Sequence, residues 1–95
     1  MTLIAGSATV PSNSTVAAFI LPPGYSNGVI YQVSNPQAVY IGTNSRVSAA
    51  NGMLVPLTPL NTETFTGSAG ATIYATTGNA TASSFSYIIS TTGLA

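Results

Sequence analysis

GVIYQVSNPQAVYIGTNSRVSAANGMLVPLTPLNTETF, residues Gly28 to Phe65, decides the fold. It reads as short apolar runs cut by turn residues: Val29 to Val33, a break at Ser34-Asn35-Pro36, Ala38 to Ile41, a polar turn through Gly42, Asn44 and Ser45, then Asn51-Gly52 and an apolar run to Leu60. Strand side chains alternate, so Val29, Tyr31 and Val33 share one face while Ile30 and Gln32 share the other. Both faces carry apolar residues, which predicts a central strand. The short Asn35-Pro36-Gln37 link predicts an antiparallel hairpin between this strand and Ala38 to Ile41. Pro56 and Pro59 exclude a regular central strand from Met53 to Leu60 and predict a loop packed by Leu54, Leu57 and Leu60.

Outside this stretch the same grammar continues. Thr2 to Val10 and Thr15 to Leu21 read as strands, separated by Pro11-Ser12-Asn13. Pro22-Pro23-Gly24 stops the second, because neither proline donates to a ladder and the glycine accepts a positive φ. Tyr25-Ser26-Asn27-Gly28 continues the loop, with Asn-Gly as a turn signal. Thr62 to Thr66 and Ala71 to Thr76 follow, with turns at Gly67 to Gly70 and Thr77-Gly78-Asn79. Thr81 to Ser90 alternates Phe85, Tyr87 and Ile89 against Ser84, Ser86, Ile88 and Ser90, the cleanest two-residue period in the chain. Thr91 to Ala95 reads as a tail. Helix formers are scarce and β-branched residues abundant. The expected fold is all-β: an antiparallel β-sandwich or jelly roll of about seven to eight short strands, one domain over residues 1–95.

Charge is the unusual feature. The 95 residues include one arginine, Arg46, one glutamate, Glu63, and no histidine, so 2% are charged where an average domain has about 25%. A hydrophobic content of 45% separates this from disorder, which combines high charge with low hydrophobicity. One arginine cannot neutralise the several phosphates on which nucleic-acid affinity rests, so nucleic acid is not an expected partner. No run approaches the 18 apolar residues of a membrane span, and Met1 to Ala5 lacks the basic start of a signal peptide. Synthesis in a cytosol is therefore expected. Asn13-Ser14-Thr15 and Asn79-Ala80-Thr81 match the glycosylation sequon without a secretion signal, which reads as chance in a Thr-rich chain.

Catalysis fails on inventory. A serine nucleophile needs a neighbouring base, and histidine, lysine and aspartate are all missing. A glycosidase needs two carboxyls, and there is one. With no cysteine or histidine neither a disulfide nor a usual zinc site can form, and one carboxylate is too little charge for calcium; no cofactor or metal is expected. Without such staples, association is the remaining route to extra stability for a small core. Arg46 and Glu63 are candidates for an ion pair that fixes register in a neutral surface, against the alternative of two solvated loop charges. Of the tyrosines, four lie in expected strands and belong to packing, whereas Tyr25 is the expected exposed aromatic contact, and the rigid, partly apolar loop Leu21 to Gly28 with Pro22, Pro23 and Tyr25 is the candidate contact with a partner. Ile88 stands among serines on the outer face of the last strand, a candidate subunit contact.

Val33-Ser34-Asn35-Pro36, then Val39-Tyr40-Ile41-Gly42, Val47, Asn51-Gly52, the Pro56-Leu57 and Pro59-Leu60 pairs, Phe65-Thr66-Gly67 and Ile73-Tyr74-Ala75 follow one another in an order that resembles small β-sandwich proteins of tailed-phage virions. Across Val29 to Ile89 the chain is similar to capsid decoration, or cement, proteins and related accessory structural domains. That resemblance implies a jelly-roll-like fold, homo-oligomers that are often trimers, a place on the outer capsid surface bound to the major capsid protein or another virion protein, and no catalysis. The family's many charged surface positions have few counterparts here. A tail, neck or fibre-base component is the alternative within this class, and a carbohydrate-binding or adhesion module the alternative outside it.

Overall fold

Alternation of apolar and hydroxyl side chains produces eight strands: β1 Leu3–Val10, β2 Thr15–Ile20, β3 Asn27–Tyr31, β4 Tyr40–Gly42, β5 Met53–Leu54, β6 Glu63–Thr66, β7 Thr72–Thr76 and β8 Ser83–Ser90. A computed structural model describes residues 3–33, 37–58, 61–68, 70–78 and 81–91, and no helix occurs among them. The strands form two antiparallel sheets of four, ordered β1-β8-β3-β6 and β2-β7-β4-β5. Strand β1 pairs with β8, β2 with β7, β3 with β6 and β4 with β5. The chain is thus a long hairpin bent back at residues 43–52 and rolled up, the strand order of a jelly roll. Rolling adds the β3–β8 and β4–β7 pairs.

Between the sheets lie Val10, Phe19, Leu21, Ile30, Val39, Ile41, Val55, Phe65, Ile73, Ala75, Phe85 and Ile89. Residues paired across an antiparallel ladder point to the same side. Phe85, Tyr87 and Ile89 therefore face inward with their β1 partners Ala8, Gly6 and Ile4. From the opposite sheet, the Phe19 ring stacks on Tyr87 with centroids 3.9 Å apart and lies tilted against Phe65 and Phe85 at 6.0 and 6.4 Å. A bulge in β2 delivers this ring: the register steps from Ala17 to Phe19 while β7 advances one residue, turning both Ala18 and Phe19 to the core.

Three sequence expectations are overturned. The central strand is confirmed, since β3 pairs on both sides, but it forms no hairpin with β4: β3 and β4 belong to opposite sheets. A link of a few residues suits either a hairpin or a crossing of the sandwich, and here Gln32 leaves the ladder and turns the chain across. Asn27-Gly28 is no turn. It opens β3, and Gly28 is required there because a Cβ would fall 2.6 Å from Phe65 Cζ and 2.7 Å from the Ile88 carbonyl oxygen. Between Met53 and Thr58 the buried anchor is Val55, whose N–H donates to the Val39 carbonyl at 2.9 Å, while Leu54 and Leu57 are exposed. The expected break at Ser34-Asn35-Pro36, Pro59 and Leu60, the sequon residues Asn79 and Ala80, and residues 92–95 of the tail lie outside the described residues.

The crossing is held by one amide. Gln32 is 1% exposed. Its Nε2 donates to the carbonyls of Gln37 (2.9 Å) and Pro56 (3.2 Å), and its Oε1 accepts from the Gln37 N–H at 3.0 Å. Thr77 Oγ1 donates to the Ala38 carbonyl at 3.0 Å. Backbone groups that leave a ladder inside the protein must find such partners.

Candidate interaction surfaces

What a rolled sandwich offers outward is set by the same alternation that fills its core. On the β1-β8-β3-β6 sheet the outer face reads Leu3, Ala5, Ser7 and Thr9 on β1, Ser84, Ser86 and Ile88 on β8, Val29 and Tyr31 on β3, and Thr64 and Thr66 on β6. Ala5, Ile88, Val29 and Thr64 form one row across four strands. Ile88 is thus at the middle of the sheet, half-buried by its neighbours rather than fully exposed. Leu3 at 55% and Val33 at 58% are the open apolar residues near this face. No charged side chain stands on it.

The second sheet turns out Thr15, Ala17 and Ile20 on β2, Thr72, Tyr74 and Thr76 on β7, Tyr40 and Gly42 on β4, and Leu54 on β5. Tyr40 faces Thr76 and Gly42 faces Tyr74, so the two tyrosines are diagonal neighbours on one face. The loop after β4 folds back over it: Val47 is buried against Gly42 and Gly52, where an added Cβ would meet Val47 Cγ2 at 3.0 and 2.8 Å. The strands of this face carry no charge, but Arg46 stands in the covering loop and lines a recess beside Gly42.

Loop Leu21 to Gly28 takes the expected turn. Tyr25 N–H donates to the Pro22 carbonyl at 2.9 Å, and Gly24 has φ 87°, the geometry that places proline second and glycine third in a type II turn. Leu21 is fully buried and exchanges backbone bonds with Gly70 and Ala71. Pro23 and Gly24 form the exposed tip, and Pro22 is half-buried. Tyr25 is not the exposed aromatic contact expected from its loop position: the turn folds it back and it packs on the core cluster.

Arg46 and Glu63 do not come together. Arg46 lies in the loop between β4 and β5, its N–H donating to Asn44 Oδ1 at 2.8 Å, and lines an open recess of about 400 Å³ with Thr43, Asn44, Val47 and Asn51. Glu63 starts β6 on the other sheet. Both are exposed, and no ion pair joins them among the described residues. A guanidinium among amides and hydroxyls offers no general base. No group of three His, Cys, Asp or Glu capable of holding a metal occurs among the described residues, and none of their helices could cross a membrane because none exists.

Sequence reasoning missed Gln32 as the structural polar residue. The signal was present: alternation placed it on the same face as Ile30, which is the core face. No family model, curated protein or solved structure matches this chain.

Proposed function

We propose that this chain is a non-enzymatic virion structural protein, a capsid decoration or cement protein that binds the outside of the major capsid shell and bridges its subunits. The observation that supports this reading best is that the outward strand residues of both sheets carry no charge, Arg46 standing only on the loop beside Gly42, on a chain with one acid and one base. Such faces suit burial against other protein better than long residence in water. The resemblance across Val29 to Ile89 points the same way. In this reading the chain is a homo-oligomer, a trimer in the first instance, bound at the capsid surface after synthesis in the host cytoplasm, with the Pro22-Pro23-Gly24 tip and the Ile88 row as contacts.

Cosedimentation with shells assembled from the capsid protein of the same genome tests this. Saturable binding and a higher disruption temperature of the shell are expected. Attachment should change little between low and high salt, because the chain offers only Arg46 and Glu63 for ionic contact. Binding to tails or fibre bases alone would favour that location instead. The diagonal pair Tyr40 and Tyr74 gives the carbohydrate-binding alternative its one specific support, since stacked sugars need neighbouring aromatic rings; polysaccharide binding without shell binding would replace the capsid reading.

A further inference from the structure

The sandwich has four edge strands, and they are not alike. Strand β5 has two residues and is followed at once by Val55 and Pro56. Strand β6 has four and carries Glu63, the chain's one carboxylate. Strand β2 is bent by its bulge at Ala18 and runs into Leu21, Pro22 and Pro23. Short length, charge, bulges and proline are the devices that keep a sheet edge from pairing with another chain. Strand β1 has none of them along its length: Leu3–Val10 is eight residues long, in unbroken register with β8, uncharged, without proline until Pro11 just past its end, and flanked on its other side by no strand among the described residues.

We propose that β1 is a pairing edge and that its occupant is a second copy of this chain, joined antiparallel about a two-fold axis so that the two β1-β8-β3-β6 sheets become one continuous sheet. Complementarity of charge selects the occupant. A charged strand would find no counter-charge on Leu3–Val10, whereas a copy of β1 brings none and meets no like charge across the dyad. Shape agrees. With Gly6 opposite Gly6 of the second copy, inward and outward side chains stay on their own faces, with Leu3 opposite Thr9, Ile4 opposite Ala8 and Ala5 opposite Ser7, so that neither Leu3 nor Ile4 meets a residue of its own size. Ile4, which faces the core yet is 39% exposed, gains cover. The self-complementary patch is what an isologous contact requires. It is distinct from a three-fold ring and joins copies in pairs, either alone or between neighbouring rings.

Sedimentation velocity on the full chain across micromolar to millimolar concentration tests the contact, with circular dichroism confirming the fold of each variant. The wild type should show even-numbered species. Ser7→Lys, at an exposed outward position, should weaken the association by at least about tenfold, because two ammonium groups then meet near the axis, while Ala17→Lys on β2 should leave it unchanged. As the chain has no cysteine, an oxidised equimolar mixture of Ala5→Cys and Ser7→Cys should give the mixed disulfide above random pairing, a readout that survives if Ser7→Lys fails to fold. A monomeric wild type throughout the range, association undisturbed by a folded Ser7→Lys, or disulfides formed at random would each overturn the proposal, and a monomer that captures another protein's strand at β1 would overturn the choice of occupant. None of these readouts involves capsids, so failure here and failure of the virion reading are distinguishable.

Discussion

Two interior regions of this sandwich are equally closed to water and are held by opposite means. At its centre Phe19, Phe65, Phe85 and Tyr87 meet on strands whose backbones are paired in ladders, so the packing there is apolar. Where the chain crosses between sheets, Gln32 is buried against the backbone of Gln37 and Pro56, and a side-chain amide supplies the bonds that a ladder supplies elsewhere. The difference teaches that regular pairing is what licenses a greasy core. Remove the ladder, and polarity must enter the interior.

The harshest way to break the aromatic centre is Phe85→Ala. Phe85 is 1% exposed and touches the Phe19 ring, so its loss should cost about 3 to 5 kcal/mol, read from denaturant unfolding; a cost below 2 would mean the centre collapses around the gap. Gln32→Leu attacks the crossing with an apolar residue of similar size. Leaving the Gln37 N–H and two carbonyls without their partner should cost about 2 to 4 kcal/mol, and a neutral or stabilising result would show that apolar filling serves both regions equally. Gly6→Val sharpens the first region from outside the ring stack. A Cβ at Gly6 would lie 2.5 Å from the Tyr87 hydroxyl and 2.6 Å from its Cζ, so the ring must slide off Phe19 at about 1 to 3 kcal/mol; unchanged thermal stability would show that the stack is slack. Thr15→Val serves as the baseline, because the Thr15 to Thr76 hydroxyl bond of 2.7 Å is exposed and its loss should move stability by no more than about 0.5 kcal/mol.

Much of this fold was legible residue by residue. Strand β8 was read from its two-residue period because each of Phe85, Tyr87 and Ile89 could reach the core only from one face. Pro22-Pro23-Gly24 was read as a turn because its φ preferences are local. Asn27-Gly28 failed for the converse reason: its turn preference is local, but the demand that placed it in β3 is the Phe65 ring lying across it, a contact 37 positions away. Tyr25 failed likewise, its loop neighbours saying nothing of the core end onto which it folds. The supposed hairpin partner of β3 was wrong because link length alone does not choose between one sheet and two. For the surfaces, the uncharged outward strand residues followed directly from alternation plus composition. That β1 alone among the edges is long, unbulged and uncharged became visible only once the strand order was known.

The rolled-hairpin pairing also sets a timetable for the chain's birth. Leu3 pairs with Ser90, so β1 is made long before the strand it needs. At about 5 to 20 residues per second on a ribosome, the delay is on the order of 4 to 17 s. Strand partners become available in the order β5 for β4, β6 for β3, β7 for β2 and β8 for β1. Throughout that interval a long, uncharged strand waits without its partner. Chaperone dependence during synthesis, and rescue by slower induction at lower temperature, are therefore the outcomes expected from the order in which these strands pair, read from soluble yield.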